Sequence, residues 1–280
     1  MPAPPTSAPT STLVPLPDGP RLRVLRWGDP AASPVLCIHG AAAHAHWWDH
    51  IAPGLLPAHH VIAPDLRGHG ASDRAASYLI EDFATDCVAL LDTITDRPVA
   101  LVGHSMGGRV AAWIAAHHPS RVRTLALLDA RLGAVPRERA ERWRGARPAA
   151  AAPRTWTTRA EAMAAFRLTP PETDVPAATH AALAAHAVAQ QPDGRWALTV
   201  DRAVLNLDGS RVADLLPTLA RVRCPLLVLR GRHSTVIGAA QSAALHAALP
   251  DAVEEVVDGG HHFLLAHPAA VAARLAAFLA

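Results

Sequence analysis

The chain has 280 residues, which is enough for one large hydrophobic core with an inserted segment. Half of the residues are hydrophobic and 18% are charged, a composition that is typical of a globular protein and excludes a disordered one. The 26 Lys and Arg residues nearly balance the 24 Asp and Glu residues, so the net charge of +2 indicates neither a nucleic-acid partner nor an anionic membrane.

The cysteines and the N-terminal residues bear on the compartment. Cys37, Cys87 and Cys224 form an odd set in apolar segments, and we expect buried free thiols in a reducing environment. Residues 1–12 have neither a basic start nor an apolar centre, and we expect a flexible tail rather than a signal peptide. No apolar run reaches ~18 residues, so no membrane span is predicted and a cytoplasmic protein is the default expectation.

The first part of the chain alternates predicted strands and helices. Residues 13–16 and 21–27 alternate as two strands around a Pro-Asp-Gly turn. Continuous apolar runs then predict buried strands, and longer patterns predict helices: strands at 34–38, 60–63, 98–102 and 123–128, and helices at 47–55, 78–91 and 110–117. This alternation predicts an α/β protein with a mostly parallel, doubly wound sheet of about eight strands.

Residues 131–212 have a different pattern, with alanine-rich and arginine-rich helical stretches and no buried strand. Thr158 and Glu161 have the spacing of a capping box, which predicts a helix towards Phe166, and 177–189 is a second helical run. We expect an inserted helical cap here.

The sheet pattern then returns, with strands at 225–229 and 253–257 and helices at 237–248 and 269–279. No internal repeat and no long linker is present. The predicted organisation is therefore one core domain made of residues 13–130 and 213–280, interrupted by the cap at 131–212.

The segment Gly103-His104-Ser105-Met106-Gly107 lies between the predicted strand 98–102 and helix 110–117. Gly-x-Ser-x-Gly in this context is typical of a nucleophile elbow. The sharp turn strains the serine backbone, the two glycines remove bulk that would clash, and Gly108 lets the helix pack against the strand. The free N–H groups and the partial positive charge at the start of the helix would face an oxyanion formed there. The alternative is a glycine-rich turn with an unreactive serine.

A serine nucleophile needs a base that takes its proton and an acid that orients the base. In a parallel sheet these groups lie at the carboxyl ends of strands. His261 has such a position, because it follows the predicted strand 253–257.

Together these motifs resemble the α/β-hydrolase fold superfamily. The resemblance rests on the elbow, the His39-Gly40 turn, the loop 64–73 and the Gly260-His261 pair with Pro268 downstream, and it covers 13–129 and 214–280. The order of serine before histidine agrees with it.

The resemblance implies roles for further residues. It favours His261 over His262 as the base, because the base of such enzymes usually follows a glycine and has a proline seven residues later; His262 would be a flanking or surface residue. It also implies an oxyanion hole made by the backbone N–H groups of Met106 and Ala41.

The acid departs from the common pattern. Many relatives carry an aspartate in the loop after the strand that here is 225–229, but residues 230–235 contain no carboxylate. Some members carry the acid one strand earlier, where Asp129 stands, and we predict Asp129 as the acid; a structural turn residue is the alternative. Asp258 is too close to His261 along the chain, and Asp65 and Asp73 are expected to order their loop.

Other side chains are candidates for substrate binding or for a metal. Apolar or aromatic lining is predicted from Trp47, Trp48, His104, Trp143 and Phe166, with core packing as the alternative. His46 and His50 are one helical turn apart, but with 17 histidines and no ligand cluster beside them, packing is favoured over a metal site. The arginine-rich run 137–147 is interpreted as a solvated helix face. No metal and no organic cofactor are predicted.

The sequence therefore predicts a serine hydrolase acting on a small-molecule carboxylic ester, thioester or lactone with a largely apolar acyl group. The serine argues against haloalkane dehalogenase and epoxide hydrolase members of the superfamily, which need an aspartate nucleophile at the elbow. Two alternatives remain open: a cofactor-free lyase, C–C hydrolase or perhydrolase that uses the same residues, and a non-catalytic ligand-binding protein. A homodimer is also left open.

Overall fold

A computed structural model describes residues 8–135, 154–205 and 213–280. Within them the strands are β1 Thr10–Pro15, β2 Arg21–Trp27, β3 Ser33–Ile38, β4 His59–Pro64, β5 Val99–His104, β6 Val122–Leu128, β7 Thr155–Trp156, β8 Val188–Gln190, β9 Trp196–Leu198, β10 Leu226–Gly231 and β11 Val253–Val257. The helices are α1 Ile80–Ile94, α2 Met106–His117, α3 Arg159–Ala164, α4 Ala177–His186, α5 Leu216–Leu219, α6 Ala239–Ala248, α7 Phe263–Ala266 and α8 Pro268–Leu279. Short 3₁₀ helices cover Ala45–Trp48, Ala52–Leu55, Pro119–Arg121 and Arg202–Leu205.

Eight strands form the main sheet in the order β1-β2-β4-β3-β5-β6-β10-β11. β2 pairs antiparallel with both β1 and β4, and the other neighbours are parallel. The predicted mostly parallel α/β sheet of eight strands is confirmed. Because β5, β6, β10 and β11 run in the same direction, the residues that follow them lie at one edge of the sheet.

The central strands are buried on both faces. In β3, Leu36 and Ile38 point into one hydrophobic cluster with α1 and α2, while Val35 and Cys37 point into the opposite cluster with α8. Alternation along a strand sends successive side chains to opposite faces, and here both faces are covered by helices. This double burial explains why residues 34–38 of β3 are all apolar.

The cap segment contains strands that the sequence analysis did not predict. β7, β9 and β8 form a three-stranded antiparallel sheet beside α3 and α4. These strands have two or three residues each, which is too short for an alternating pattern to be visible. The predicted helix 177–189 accordingly ends at His186, and β8 follows.

The predicted capping box is present at the start of α3. Thr158 Oγ1 accepts a hydrogen bond from the Glu161 amide at 3.2 Å, and Glu161 Oε2 accepts one from the Thr158 amide at 3.0 Å. The proposed division into core and cap remains a prediction.

Several boundaries and burials differ from expectation. β1 begins at Thr10, three residues before the predicted start, and residues 1–7 of the predicted tail lie outside the described residues. Cys37 and Cys87 are buried as expected, but Cys224 is only partly buried.

Among the described residues, no helix has the length and apolarity that crossing a membrane requires.

The turn between β5 and α2 depends on glycine. A Cβ at Gly103 would collide with the backbone of Gly107 and would lie 2.6 Å from the Cα of Gly108, and a Cβ at Gly108 would collide with the side chain of Ala130. The first turn of α2 can therefore approach β5 and β6 only because these side chains are absent.

We expect Gly103→Ala to lower the melting temperature by several degrees, because relieving such overpacking costs about 1–3 kcal/mol. Thermal unfolding followed by circular dichroism measures the change. Gly238→Ala is the matched control, since a Cβ there meets no heavy atom within 4 Å and the backbone is extended. Equal melting temperatures for the two variants would contradict the proposed close approach.

Candidate active site

Ser105 lies at the turn between β5 and α2, with φ 54° and ψ −117°. This is a conformation that residues with a side chain rarely adopt, so the backbone is strained here as the elbow motif predicts. The Ser105 amide donates to the Leu128 carbonyl at 3.0 Å, which ties the turn to the end of β6. Its side chain remains partly accessible.

His261 follows β11 and is 97% buried, with 3% relative exposure. Its Nε2 lies 3.0 Å from Ser105 Oγ, and its Nδ1 lies 2.6 Å from Asp129 Oδ2. If Nδ1 carries the proton and donates to the carboxylate, Nε2 accepts the hydrogen bond from the serine hydroxyl. An imidazole in this tautomer can take the hydroxyl proton.

Asp129 is fully buried at the end of β6 and has φ 46°. Besides His261, its carboxylate accepts hydrogen bonds from the Gly231 amide at 3.0 Å and from Ser234 Oγ at 2.5 Å. Burial raises the pKa of Asp129 to about 6, against the lowering effect of the donors Ser234 and Gly231. The structure thus brings together the three side chains Ser105, His261 and Asp129.

The loop after β10 lacks a carboxylate, but it lies beside the carboxylate of Asp129 at the end of the neighbouring strand β6. Leu128 and Leu229 are register partners, so Asp129 lies level with the start of this loop. The last residue of β10 contributes the Gly231 N–H to Asp129, and the loop contributes the Ser234 O–H. Sequence reasoning missed Ser234, because a single serine in a loop carries no signal of its partner.

The loop after β3 lies against Ser105. A Cβ at Gly40 would be 3.1 Å from the Cβ of Ser105, and Ala41 and Ala42 follow with partial burial. Ala42 has φ 60°, so the chain makes a tight bend beside the serine. Ala41 and Met106, the residues predicted to donate to an oxyanion, therefore flank Ser105 from the loop and from the start of α2.

Asp65 holds the surrounding loops together. Its carboxylate is fully buried and accepts hydrogen bonds from the Ala45 amide at 2.7 Å, the Ala71 amide at 2.8 Å and Arg23 Nε at 2.6 Å. Burial alone would raise the pKa of Asp65, but the bond and charge of Arg23 together with the Ala45 amide lower it below its ordinary value. Asp65 thus connects the loop that carries Ala41 to the loop 64–73.

The predicted lining residues occupy different environments. Phe166 lines a cavity of about 220 Å³, together with Ala42, Leu198, Val200, Leu205 and other neighbours. Trp47 is buried against the rings of His104 and His262, with centroids 5.8 and 5.3 Å apart, and Trp48 is fully buried in the core. His104 is also buried, with Nε2 3.0 Å from the His261 carbonyl oxygen. Trp143 lies outside the described residues, as does the run 137–147.

The two neighbours of His261 differ in exposure. His262 is not a surface residue: it is 2% exposed, and its Nε2 lies 3.2 Å from the Pro170 carbonyl oxygen. The Asp258 side chain, three residues before His261, is 73% exposed.

Two groups of described side chains could hold a metal by proximity, His104-His261-His262 and His46-Asp49-His186. In the first, His261 contacts Ser105 and Asp129. In the second, His46 Nδ1 lies 2.9 Å from Asp49, its Nε2 lies 3.0 Å from Arg23, and its ring stacks on His186. His46 thus has protein partners for both nitrogens, while His50 is exposed and outside this group.

Comparisons with known proteins identify the family of the chain. The profile of the alpha/beta hydrolase fold family matches residues 33–268. Lipase LipV of Mycobacterium tuberculosis is 44% identical over 108 residues, which are 39% of this chain and 41% of that protein. Epoxide hydrolase A of the same organism is 40% identical over 135 residues, 46% of this chain and 41% of that protein. The matches thus span about two fifths of these curated relatives.

Among solved structures, E-2-(acetamidomethylene)succinate hydrolase superposes with a TM-score of 0.83 at 25% identity. The superposition covers 97% of this chain and 99% of that one. The similarity in fold therefore extends over nearly the whole length of both chains.

We expect Asp65→Asn to destabilise the fold by about 3–5 kcal/mol near neutral pH, because it breaks a buried pair and leaves Arg23 without its carboxylate. Since folding lowers the pKa of Asp65, its stabilisation is present above the unfolded pKa and is lost as the pH falls through the folded one. The difference from wild type in thermal unfolding should therefore shrink below pH about 4.

Asp73→Asn is the control, because Asp73 pairs with Arg21 at the surface, where the side chains are 36% and 58% exposed. Such an exposed pair contributes little to stability, because water and salt screen it. Similar losses for both variants would show that Asp65 has no special role in holding the loops.

Proposed function

This chain belongs to the alpha/beta hydrolase fold family, and from that premise we propose that it is a serine hydrolase that cleaves a carboxylic ester, thioester or lactone. The observation that carries the proposal is the continuous contact from Ser105 Oγ through His261 to the buried Asp129, at 3.0 and 2.6 Å. The relative named lipase supports an ester substrate, although the match spans 41% of that protein.

In the first step Ser105 Oγ attacks the substrate carbonyl carbon, and its proton passes to His261 Nε2. Asp129 keeps Nδ1 protonated and pointed towards itself, and its negative charge stabilises the imidazolium that forms. The serine starts at hydrogen-bond distance from the base, so no rearrangement is needed before the proton transfer.

The carbonyl oxygen gains negative charge in this step and needs donors. We assign them to the backbone N–H groups of Met106 and Ala41. The assignment is supported by the place of Met106 at the first position of α2 and by the packing of the Gly40 loop against Ser105. Removing one such donor in other enzymes costs about 3–4 kcal/mol of transition-state stabilisation.

The tetrahedral intermediate then collapses, the bond to the leaving oxygen or sulfur breaks, and His261 returns the proton to the leaving group. Water attacks the resulting acyl-serine and gives a proton to His261. The second tetrahedral intermediate then collapses: the bond to Ser105 Oγ breaks, His261 returns the proton to that oxygen, and the carboxylic acid leaves. These steps use side chains and backbone groups of this chain alone.

The cavity of about 220 Å³ beside Ala42 is the proposed site for the acyl group. Ala42 follows the proposed donor Ala41, so an acyl chain bound at Ser105 can extend into this space. Its lining is mixed, because Arg167 and Thr199 lie beside apolar residues such as Phe166 and Leu198. The apolar part favours an apolar acyl group of a small molecule.

The similarity to an epoxide hydrolase does not favour epoxide opening here. A carboxylate nucleophile forms an ester with the opened epoxide, which water can hydrolyse, whereas a serine would form a stable ether. The alternatives are a cofactor-free lyase, a C–C hydrolase and a perhydrolase. Each would use the same Ser105, His261 and Asp129 and would differ in its substrate.

We expect a fluorophosphonate probe to label the wild-type protein at Ser105, because His261 can activate its hydroxyl. Intact-mass spectrometry should show one adduct, and Ser105→Ala should show none. Heat-denatured wild type is a second control, since labelling must need the folded site. A folded wild type that stays unlabelled would favour a non-catalytic ligand-binding protein.

Asp129→Asn should lower kcat or the labelling rate steeply, by about 10⁴-fold where the aspartate fixes the histidine tautomer. In wild type the labelling rate should fall as the pH drops through about 6, where Asp129 becomes protonated. The labelling rates of wild type and Asp129→Asn between pH 5 and 9, from reactions quenched at successive times, measure both effects.

The stability of Asp129→Asn is the control for this loss. Because folding raises the pKa of Asp129, its ionisation disfavours the folded state as the pH rises through about 6. Removing the charge should therefore not lower the melting temperature greatly at pH 8. Near-normal turnover in the folded variant would retire Asp129 as the acid.

A further inference from the structure

Glu172 reaches from the cap segment between α3 and α4 to the loop that carries His261. Its carboxylate accepts hydrogen bonds from two consecutive backbone amides, those of His261 and His262, the second at 2.9 Å. Two N–H groups thus point at the two oxygens of one carboxylate. Hydrogen bonds to an ionised acceptor are stronger than those between neutral groups.

The loop is shaped to admit this carboxylate. A Cβ at Gly260 would collide with Glu172 Oε1 and lie 2.6 Å from its Cδ, so a side chain at 260 would displace the glutamate. The same cap segment also places the Pro170 carbonyl oxygen 3.2 Å from His262 Nε2. Three polar contacts therefore join one short stretch of the cap to two adjacent histidines.

The peptide groups of His261 are held from both sides. Glu172 accepts from its amide, and its carbonyl oxygen lies 3.0 Å from His104 Nε2. His261 and His262 are both nearly fully buried, so water has little access to these amides when the Glu172 carboxylate alone is removed and the rest of the segment stays in place. A buried N–H group without an acceptor is unfavourable, and the loop would move to find one.

We propose that Glu172 is a positioning residue for His261, which links the docking of the cap to the alignment of the base with Ser105. This role rests on the proposed serine hydrolase function. Glu172 touches neither the substrate nor the reacting atoms, and it acts through the backbone of residues 261 and 262. When the cap segment moves away, the loop loses its acceptor and the 3.0 Å contact between Nε2 and Oγ is no longer enforced.

The size of the effect follows from geometry. A displacement of about 1 Å of a catalytic group can cost about 10²-fold in rate. Glu172→Ala removes both acceptor oxygens and should approach that loss. Glu172→Gln keeps one carbonyl oxygen but presents an NH₂ group to the second amide, so we expect a decrease of about 10-fold.

The test compares wild type, Glu172→Gln, Glu172→Ala and Asp174→Asn in the rate of fluorophosphonate labelling and, once an ester substrate is found, in kcat and KM. Asp174 is the matched control: it lies on the same cap segment, is exposed, and carries the same charge. We expect slower labelling and lower kcat with little change in KM for the two Glu172 variants, and wild-type behaviour for Asp174→Asn.

A second readout does not depend on activity. In protein labelled with ¹⁵N-histidine, the amide proton signals of His261 and His262 should shift upfield in Glu172→Gln, since a charged acceptor is lost, and should stay in place in Asp174→Asn. Melting temperatures show whether the variants are folded under the assay conditions.

Wild-type labelling rates in folded Glu172→Gln would overturn the proposal, as would an equal loss in Asp174→Asn or a loss that only matches the unfolded fraction. A wild type that does not label would instead remove the proposed function, and this role with it. The two failures are therefore distinguishable.

Discussion

The hydrogen bond between the buried Asp129 carboxylate and His261 Nδ1 is the interaction on which the site depends. A carboxylate without access to water is unfavourable unless donors surround it, and here the donors come from His261, Gly231 and Ser234. Together with Asp129 itself, these residues come from three segments: the end of β6, the end of β10 with the loop after it, and the loop after β11. The burial that raises the pKa of Asp129 to about 6 also keeps water from competing for the imidazole. The ends of three parallel strands are thereby fixed relative to one another.

A second constraint acts on the nucleophile side. The strained turn at Ser105 persists because glycines let α2 approach β5 and because the Ser105 amide bonds to the end of β6. Asp65 fixes the loop that approaches from the other side. The proposed oxyanion donors are therefore held by backbone packing and one buried carboxylate, whereas the base is held in part by the cap through Glu172. Core and cap contribute to different parts of the same site.

Much of this arrangement was predictable, for definite reasons. The main sheet follows from continuous apolar runs, and Ser105 is marked by glycines that the turn requires. Asp129 could be proposed because the usual acid position is empty of carboxylates, leaving a strand-end aspartate next to it. Ser234 and Glu172 could not be predicted, because their partners are distant in the chain. Ser234 bonds to Asp129, which is 105 positions away, and Glu172 bonds to residues 89 and 90 positions away. No local pattern records such pairs. The short strands β7, β8 and β9 escaped prediction because two or three residues are too few to show an alternating pattern.

The position of Ser234 has an evolutionary consequence. Its Oγ lies 2.5 Å from Asp129 Oδ2, which in turn lies 2.6 Å from His261 Nδ1. A carboxylate at either of two neighbouring strand ends can thus approach one imidazole, while the other end supplies a hydroxyl. Moving the acid from the end of β6 to the loop after β10 would take two substitutions, one that removes the carboxylate at 129 and one that introduces it at 234, with His261 and Ser105 left where they are.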